Sequence, residues 1–320
     1  MNRYQPVDAL QSPRFCGIQT FMRLPNLRAA KDVDFAVVGV PFDTASSYRT
    51  GSRFGPSAIR KLSALLRPYN MNLDVNIYDH VSGVDYGDVD VVPGYVEDTY
   101  ARIEEFLTPL VEAGVAPIVL GGDHSITLAE LRAMKKRYGK LALVHLDSHL
   151  DTWDQYFNHK YNHGTTFRRA VEEDLIDTEH SVQAGMRGSL YSPDDVNAAR
   201  ELGFQVIPAA EMHEAGIRET ARRIRERVAG RMAFLTFDID FVDPAYAPGT
   251  GTIEAGGFTS AQTLSLLREL KDIPFKGFDV VEVLPAYDPA EITANLAANI
   301  GYEFISIIAL QKKRAMEKAK

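Results

Sequence analysis

Four times in this chain a short apolar run leads into residues that are costly to bury without a partner. Pro117-Ile-Val-Leu120 runs into Gly121-Gly-Asp-His124, and Leu141 to Leu146 runs into Asp147-Ser-His-Leu-Asp151. Phe234-Leu-Thr-Phe237 is closed by Asp238-Ile-Asp240, and the segment 277–283 carries Glu282. Apolar runs this short suit strands buried on both faces. Helical stretches separate them, such as 95–113 with Ile103, Phe106, Leu107, Leu110 and Val111 on one face. Strand and helix signals alternate throughout, which predicts an α/β fold: a mostly parallel sheet covered by helices on both faces. In such sheets ligands bind beyond the carboxyl ends of the strands, so a single site built from four strand ends accounts for all four clusters.

The stretch from 141 to 151 is the sharpest of them. If the strand stays extended, Asp147, His149 and Asp151 project from one face, because side chains alternate with period 2. Taken alone, a strand end with polar residues at its exit is the plainer reading. Recurrence of such clusters favours a cation. The ligand set His124, Asp147, His149, Asp151, Asp238 and Asp240 is hard, oxygen-rich and free of thiolate. That favours manganese, with nickel or cobalt as alternatives, over structural zinc. Its four aspartates balance the charge of two divalent ions. Two ions can share a water, lower its pKa and present hydroxide at neutral pH. Asp123 reads as a cap or as an acceptor behind the ligands.

A net charge of −8 and a pI near 5.5 argue against nucleic acid or an anionic membrane as partner. They mildly attract a small cation. The single cysteine, Cys16, excludes an internal disulfide and suits a reducing compartment. No apolar run approaches the length of a membrane span, and the N-terminus lacks a signal-peptide core, so a cytoplasmic location is expected. Residues 1 to about 32 lack sustained periodicity and read as an arm lying over the body or a neighbouring subunit. Residues 33–320 read as one domain. Arg49, Arg53 and Arg60 read as ion-paired structural residues before an anion site. Phosphate-binding glycine motifs and a nucleophile elbow are missing.

With these residues in place the chain resembles the ureohydrolase (arginase/agmatinase) family, on its agmatinase-like branch. Gly121-Gly-Asp-His124, Asp147-Ser-His-Leu-Asp151 and Asp238-Ile-Asp-x-x-Asp-Pro244 match that family's metal signatures in order. Pro248-Gly-Thr-Gly-Thr252, Gly256-Gly257, Val281-Glu-Val283 and Gly51-x-Arg-x-Gly-Pro-x-x-Ile-Arg60 match as well. The resemblance implies a three-layer α/β/α domain with two Mn2+ per chain, assembled as a homotrimer or homohexamer. It implies that His124, Asp147, Asp151 and Asp238 hold one ion, that His149, Asp147, Asp238 and Asp240 hold the other, and that Asp147 and Asp238 bridge. Glu282 would hold a substrate guanidinium, and His163 resembles the family's mobile proton-shuttling histidine. The bridging hydroxide would attack the guanidinium carbon, and Asp151 and His163 would help the intermediate collapse to urea and an amine.

This chain departs from the family pattern at Ser148, Leu150, Trp153 and Ile253, none of them a metal ligand. Trp153, Tyr156 and Arg187 are the candidate pocket residues, with Trp153 and Leu150 making the pocket more apolar or else packing into the core. The substrates expected are 4-guanidinobutyrate, 3-guanidinopropionate or agmatine. The alternatives are a small or N-alkylated guanidine, or the chemistry of a related two-metal amide hydrolase.

Overall fold

The structure is a computed structural model that describes residues 4–319. In chain order its strands are β1 (Phe35–Gly39), β2 (Tyr69–Asn70), β3 (Val75–Asn76), β4 (Gly83–Asp88), β5 (Ala116–Leu120), β6 (Ala142–Leu146), β7 (Val182–Met186), β8 (Gln205–Pro208), β9 (Ala233–Asp238) and β10 (Phe275–Val281). Eight form one sheet in the order β4-β1-β5-β10-β9-β6-β7-β8, with every neighbouring pair parallel. β2 and β3 make a separate antiparallel pair.

That order explains why the polar clusters meet. β5, β10, β9 and β6 are consecutive neighbours at the middle of the sheet. Being parallel, they deliver their carboxyl ends to one edge, and adjacent strands lie only about 4.8 Å apart. The residues after Leu120, Leu146, Phe237 and Val281 are thereby brought side by side.

Side chains alternate between two apolar layers, as a doubly covered sheet requires. Phe35, Val37, Val144 and Leu235 face one layer, whereas Ala36, Val38, Leu143 and Phe234 face the other. Helices Val96–Ala113 and Thr127–Tyr138 bring Ile103, Leu107, Leu131 and Met134 to the second layer. Helices Ile217–Val228, Ser260–Glu269 and Ile292–Lys318 cover the first. The last of these corrects the expectation about apolar length, because by length and composition it could cross a membrane. Its most apolar stretch is 78% buried within the fold, so that hydrophobicity is spent on the core. Pro56 lies in the first turn of the helix Gly55–Ser63, a position that suits its fixed φ and missing amide proton.

Of the segment read as an arm, residues 1–3 lie outside the described residues. Phe21, Met22 and Leu24 are core residues, and Leu27 donates its amide to the Asp85 carbonyl. Leu10, Phe15 and Ile18 are exposed. Arg60 is ion-paired with Asp85 at 2.8 Å and with Asp88 at 2.5 Å. The Arg53 guanidinium donates to Asp43 at 2.6 Å.

Candidate metal centre and active site

β6 stops at Leu146, so Asp147, His149 and Asp151 do not share a strand face. The expectation of an extended run fails because carboxylates capture the backbone amides beyond the strand. His149 N donates to Asp147 Oδ1 at 2.6 Å, and Ser148 N donates to Asp240 Oδ1 at 3.0 Å. Asp151 then takes a left-handed conformation with φ 52°. The turn sends Asp147 and Asp151 toward His124 and leaves His149 facing Asp240. Close approach of these loops depends on glycine. A Cβ on Gly122 would stand 1.6 Å from the Phe42 carbonyl oxygen, and one on Gly185 would stand 2.6 Å from that of Asp147.

His124 is fully buried, with Nδ1 at 3.0 Å from Asp147 Oδ2, 3.2 Å from Asp151 Oδ2 and 3.3 Å from Asp238 Oδ2. Its Nε2 lies 2.8 Å from Thr236 Oγ1, whose hydroxyl donates to Asp279 Oδ1 at 2.7 Å. With that proton committed to Asp279, Thr236 accepts from Nε2–H. The Nδ1 lone pair is thereby turned toward the carboxylates, the orientation of a metal-binding imidazole. On the other side of Asp147, His149 Nδ1 is 3.0 Å from Asp240 Oδ2 and 3.6 Å from Asp147 Oδ1.

Two sets of donor atoms converge within 4.8 Å, one from His124, His145, Asp147 and Asp151, the other from Asp147, His149 and Asp240. Asp147 belongs to both. Among the described residues, His124 Nδ1 and Asp240 Oδ2 are buried and make no hydrogen bond. Burial, then the charges of Asp240 and Asp147, push the Asp238 carboxyl well above its ordinary range, and burial and Asp147 raise Asp240. Divalent cations fit this cluster: they supply the missing partners and relieve the repulsion. Asp238, expected as a bridge, reaches the cluster through His124 and accepts the Asp240 amide at 2.8 Å.

His145 is the residue the sequence reading missed. It is fully buried in β6, with Nε2 at 2.7 Å from Asp147 Oδ2. The Gln183 amide nitrogen donates to the Leu150 carbonyl at 2.7 Å and lies 2.9 Å from His145 Nδ1. That leaves Nδ1 as the acceptor and Nε2–H as the donor, so His145 orients Asp147 rather than offering a lone pair.

His163 lies at the edge of the cluster, its Nδ1 3.2 Å from Glu282 Oε1 and its Nε2 2.7 Å from Ser47 Oγ. Glu282 has φ 63°, is 2% exposed, and accepts the His124 amide at 3.0 Å. Asp123 caps the turn after β5 by accepting from Ser125 N at 3.0 Å. Burial, then the Glu282 charge, push its carboxyl up to about 7.

A cavity of about 640 Å³ opens over the cluster, walled by His149, Asp151, His163 and Asp238 at its base and by Leu150, Trp153 and Tyr156 further out. Leu150 both lines the cavity and joins the core. Arg187 lines it too, yet its guanidinium donates to the carbonyls of Gly185, Asp240, Phe241, Val242 and Glu254. It braces the loop after β9 and has its donors committed before any ligand arrives.

Comparison with known proteins bears on this arrangement. The arginase family model matches residues 33–306. A guanidinobutyrase of Pseudomonas aeruginosa is 43% identical over 310 residues, covering 96% of this chain and 97% of that protein. A guanidinopropionase of the same organism is 43% identical over 312 residues, covering 97% of this chain and 98% of its own. The solved proclavaminate amidino hydrolase of Streptomyces clavuligerus superposes with a TM-score of 0.90 at 43% identity, covering 93% of this chain and 99% of that one. Likeness of this extent in both sequence and fold is inherited, and the chain belongs to the arginase family.

Proposed function

We propose that this chain hydrolyses a guanidino compound to urea and an amine at a centre of two divalent metal ions. The observation that carries the reading is Asp147, one carboxylate shared between two buried clusters of oxygen and imidazole donors. His124, Asp147, Asp151 and Asp238 would hold one ion, and His149, Asp147, Asp238 and Asp240 the other. The donor set favours manganese, with nickel or cobalt as alternatives. When bound, such ions lower the pKa of water and supply a nucleophile at neutral pH.

The remaining steps belong to the chain. Burial works against a charged His163, but the hydrogen bond and charge of Glu282 outweigh it and raise its pKa. The raised pKa equips His163 to carry a proton to the cavity wall, where a leaving amine can take it. The Glu282 carboxylate supplies the charge partner for a guanidinium once His163 swings aside. His145 and Thr236 keep Asp147 and His124 in register.

The relatives' names support a guanidino compound as the kind of substrate. Exposed Leu10 and Phe15 support assembly into a homotrimer or homohexamer. The free, exposed Cys16 supports a reducing, cytoplasmic setting. The test is urea release from a panel of guanidines by metal-stripped and manganese-reloaded protein. Urea from the reloaded form alone supports the proposal; no urea from any guanidine overturns it.

A further inference from the structure

The outer half of the cavity differs in chemistry from the metal cluster at its base. The Trp153 ring packs against Tyr156 at a centroid distance of 4.9 Å and against Tyr191 at 5.6 Å. Leu150, Val196 and Val206 continue this wall. The indole donor is already used, since Trp153 Nε1 lies 3.3 Å from Asp195 Oδ1. These side chains offer an incoming group ring face and aliphatic surface, beside the lining hydroxyl residues Ser189 and Thr252.

Charge on this wall is one-sided. Arg187 is the only lysine or arginine lining the cavity among the described residues, and backbone carbonyls hold its guanidinium. Asp195 and Glu254 are the acids beyond the metal cluster. Asp195 is engaged with Trp153 and the Tyr191 amide, whereas Glu254 forms no ion pair among the described residues. A carboxylate entering here would shed its hydration beside two like charges, with no free cation to receive it.

We propose that the outer cavity selects an uncharged alkyl or arylalkyl tail, so that the preferred substrate is an N-alkylated guanidine and not a guanidino acid. This rests on the guanidine-hydrolase reading above. The reaction consumes one water. A C–O bond forms at the guanidinium carbon, the C–N bond to the alkylated nitrogen breaks, and the departing nitrogen keeps the electron pair. With the protons taken from water it leaves as an alkylammonium ion, and the other two nitrogens leave as urea.

The test measures kcat/KM for urea release from butylguanidine, 2-phenylethylguanidine, 4-guanidinobutyrate and agmatine, using full-length metal-loaded protein. The two apolar guanidines are expected to exceed 4-guanidinobutyrate by about tenfold or more, the scale set by one unpaired polar group in a pocket. If 4-guanidinobutyrate or agmatine equals or exceeds them, the tail assignment is wrong while the hydrolase reading stands. Silence with all four compounds overturns both. Two variants sharpen the result. Trp153→Ala should lower 2-phenylethylguanidine turnover about tenfold more than that of 4-guanidinobutyrate, by loss of the ring face. Glu254→Lys, on a half-buried loop position, should shift the ratio at least about tenfold toward 4-guanidinobutyrate by supplying the missing cation. Uniform changes across the panel in both variants would overturn the proposal.

Discussion

The Ser47 hydroxyl lies 2.7 Å from Nε2 of His163, and the Ser47 amide reaches the same nitrogen at 3.2 Å. An amide can only donate, so Nε2 of the neutral ring is the acceptor and the proton sits on Nδ1, toward Glu282. Ser47 therefore holds both the position and the tautomer of the ring. Ser47→Ala keeps the amide and loses the hydroxyl. The expected result is a fall in kcat of about tenfold, equivalent to about 1.4 kcal/mol, with KM little changed. Ser47→Thr should restore most of the rate. An alanine variant as fast as the parent would show that the contact is incidental.

Glu282 is behind His163, and the cavity wall includes His163 without Glu282. A guanidinium that pairs with Glu282 must displace the imidazole first. Glu282→Gln keeps shape and packing but removes the charge that attracts the guanidinium and raises the His163 pKa. Turnover should drop by about a hundredfold or more, the usual cost of losing a charged partner at a reacting group, about 2.7 kcal/mol. Metal content should not change. The alkaline limb of the kcat/KM profile should move to lower pH as His163, the proton donor, loses its supporting charge. A variant with parental kinetics would make Glu282 a structural residue.

Much of this site was legible because strand ends broadcast their chemistry. Asp147 and Asp238 follow apolar runs directly, and a parallel sheet leaves such residues no destination but its carboxyl edge. His145 was hidden for the same reason, since inside Leu141–Leu146 it looks like one polar residue in a buried strand. Its role depends on Gln183, 38 positions away. The turn after Leu146 was misread because it is set by Ser148 bonding to Asp240, a contact spanning 92 positions. Arg187 lines the cavity, but nothing local in the sequence reveals that its guanidinium faces backbone carbonyls.

Removal of metal should weaken the fold as well as the activity. The two buried carboxylate groups would then face each other with only imidazoles to offset them. Stripping the protein with a chelator should lower Tm, and adding manganese at about a hundredfold over Kd should recover roughly 2.7 kcal/mol. Metal analysis should give about two equivalents per chain, as a shared-carboxylate centre requires. Asp147→Ala should abolish both equivalents and cost more activity than His163→Ala. An active protein free of transition metal would sink the two-ion mechanism.

Glu130 provides a prediction about stability from a position that feels the charge of His124. It sits in the helix Thr127–Tyr138, fully buried, and neither carboxylate oxygen has a hydrogen-bond partner among the described residues. Burial, then the nearby Asp279 charge, hold its pKa well above the ordinary 4.5. A folded-state pKa above the unfolded value means that the native protein binds the proton more tightly. That contribution is fully present below pH 4.5 and is lost as pH rises through the folded-state pKa. Glu130→Gln replaces the acid with a neutral group of the same shape and has no proton to lose. The variant should match the parent near pH 4.5. It should become progressively more stable than the parent toward alkaline pH, by about 1–3 kcal/mol, the cost of an unpaired buried polar group. Urea denaturation midpoints of both metal-loaded proteins between about pH 5 and pH 9 would measure the gap, since the midpoint tracks stability when the slope is unchanged. A gap that stays constant across that range would show that Glu130 titrates alike in the folded and unfolded chains, and that its burial costs the fold nothing that depends on charge.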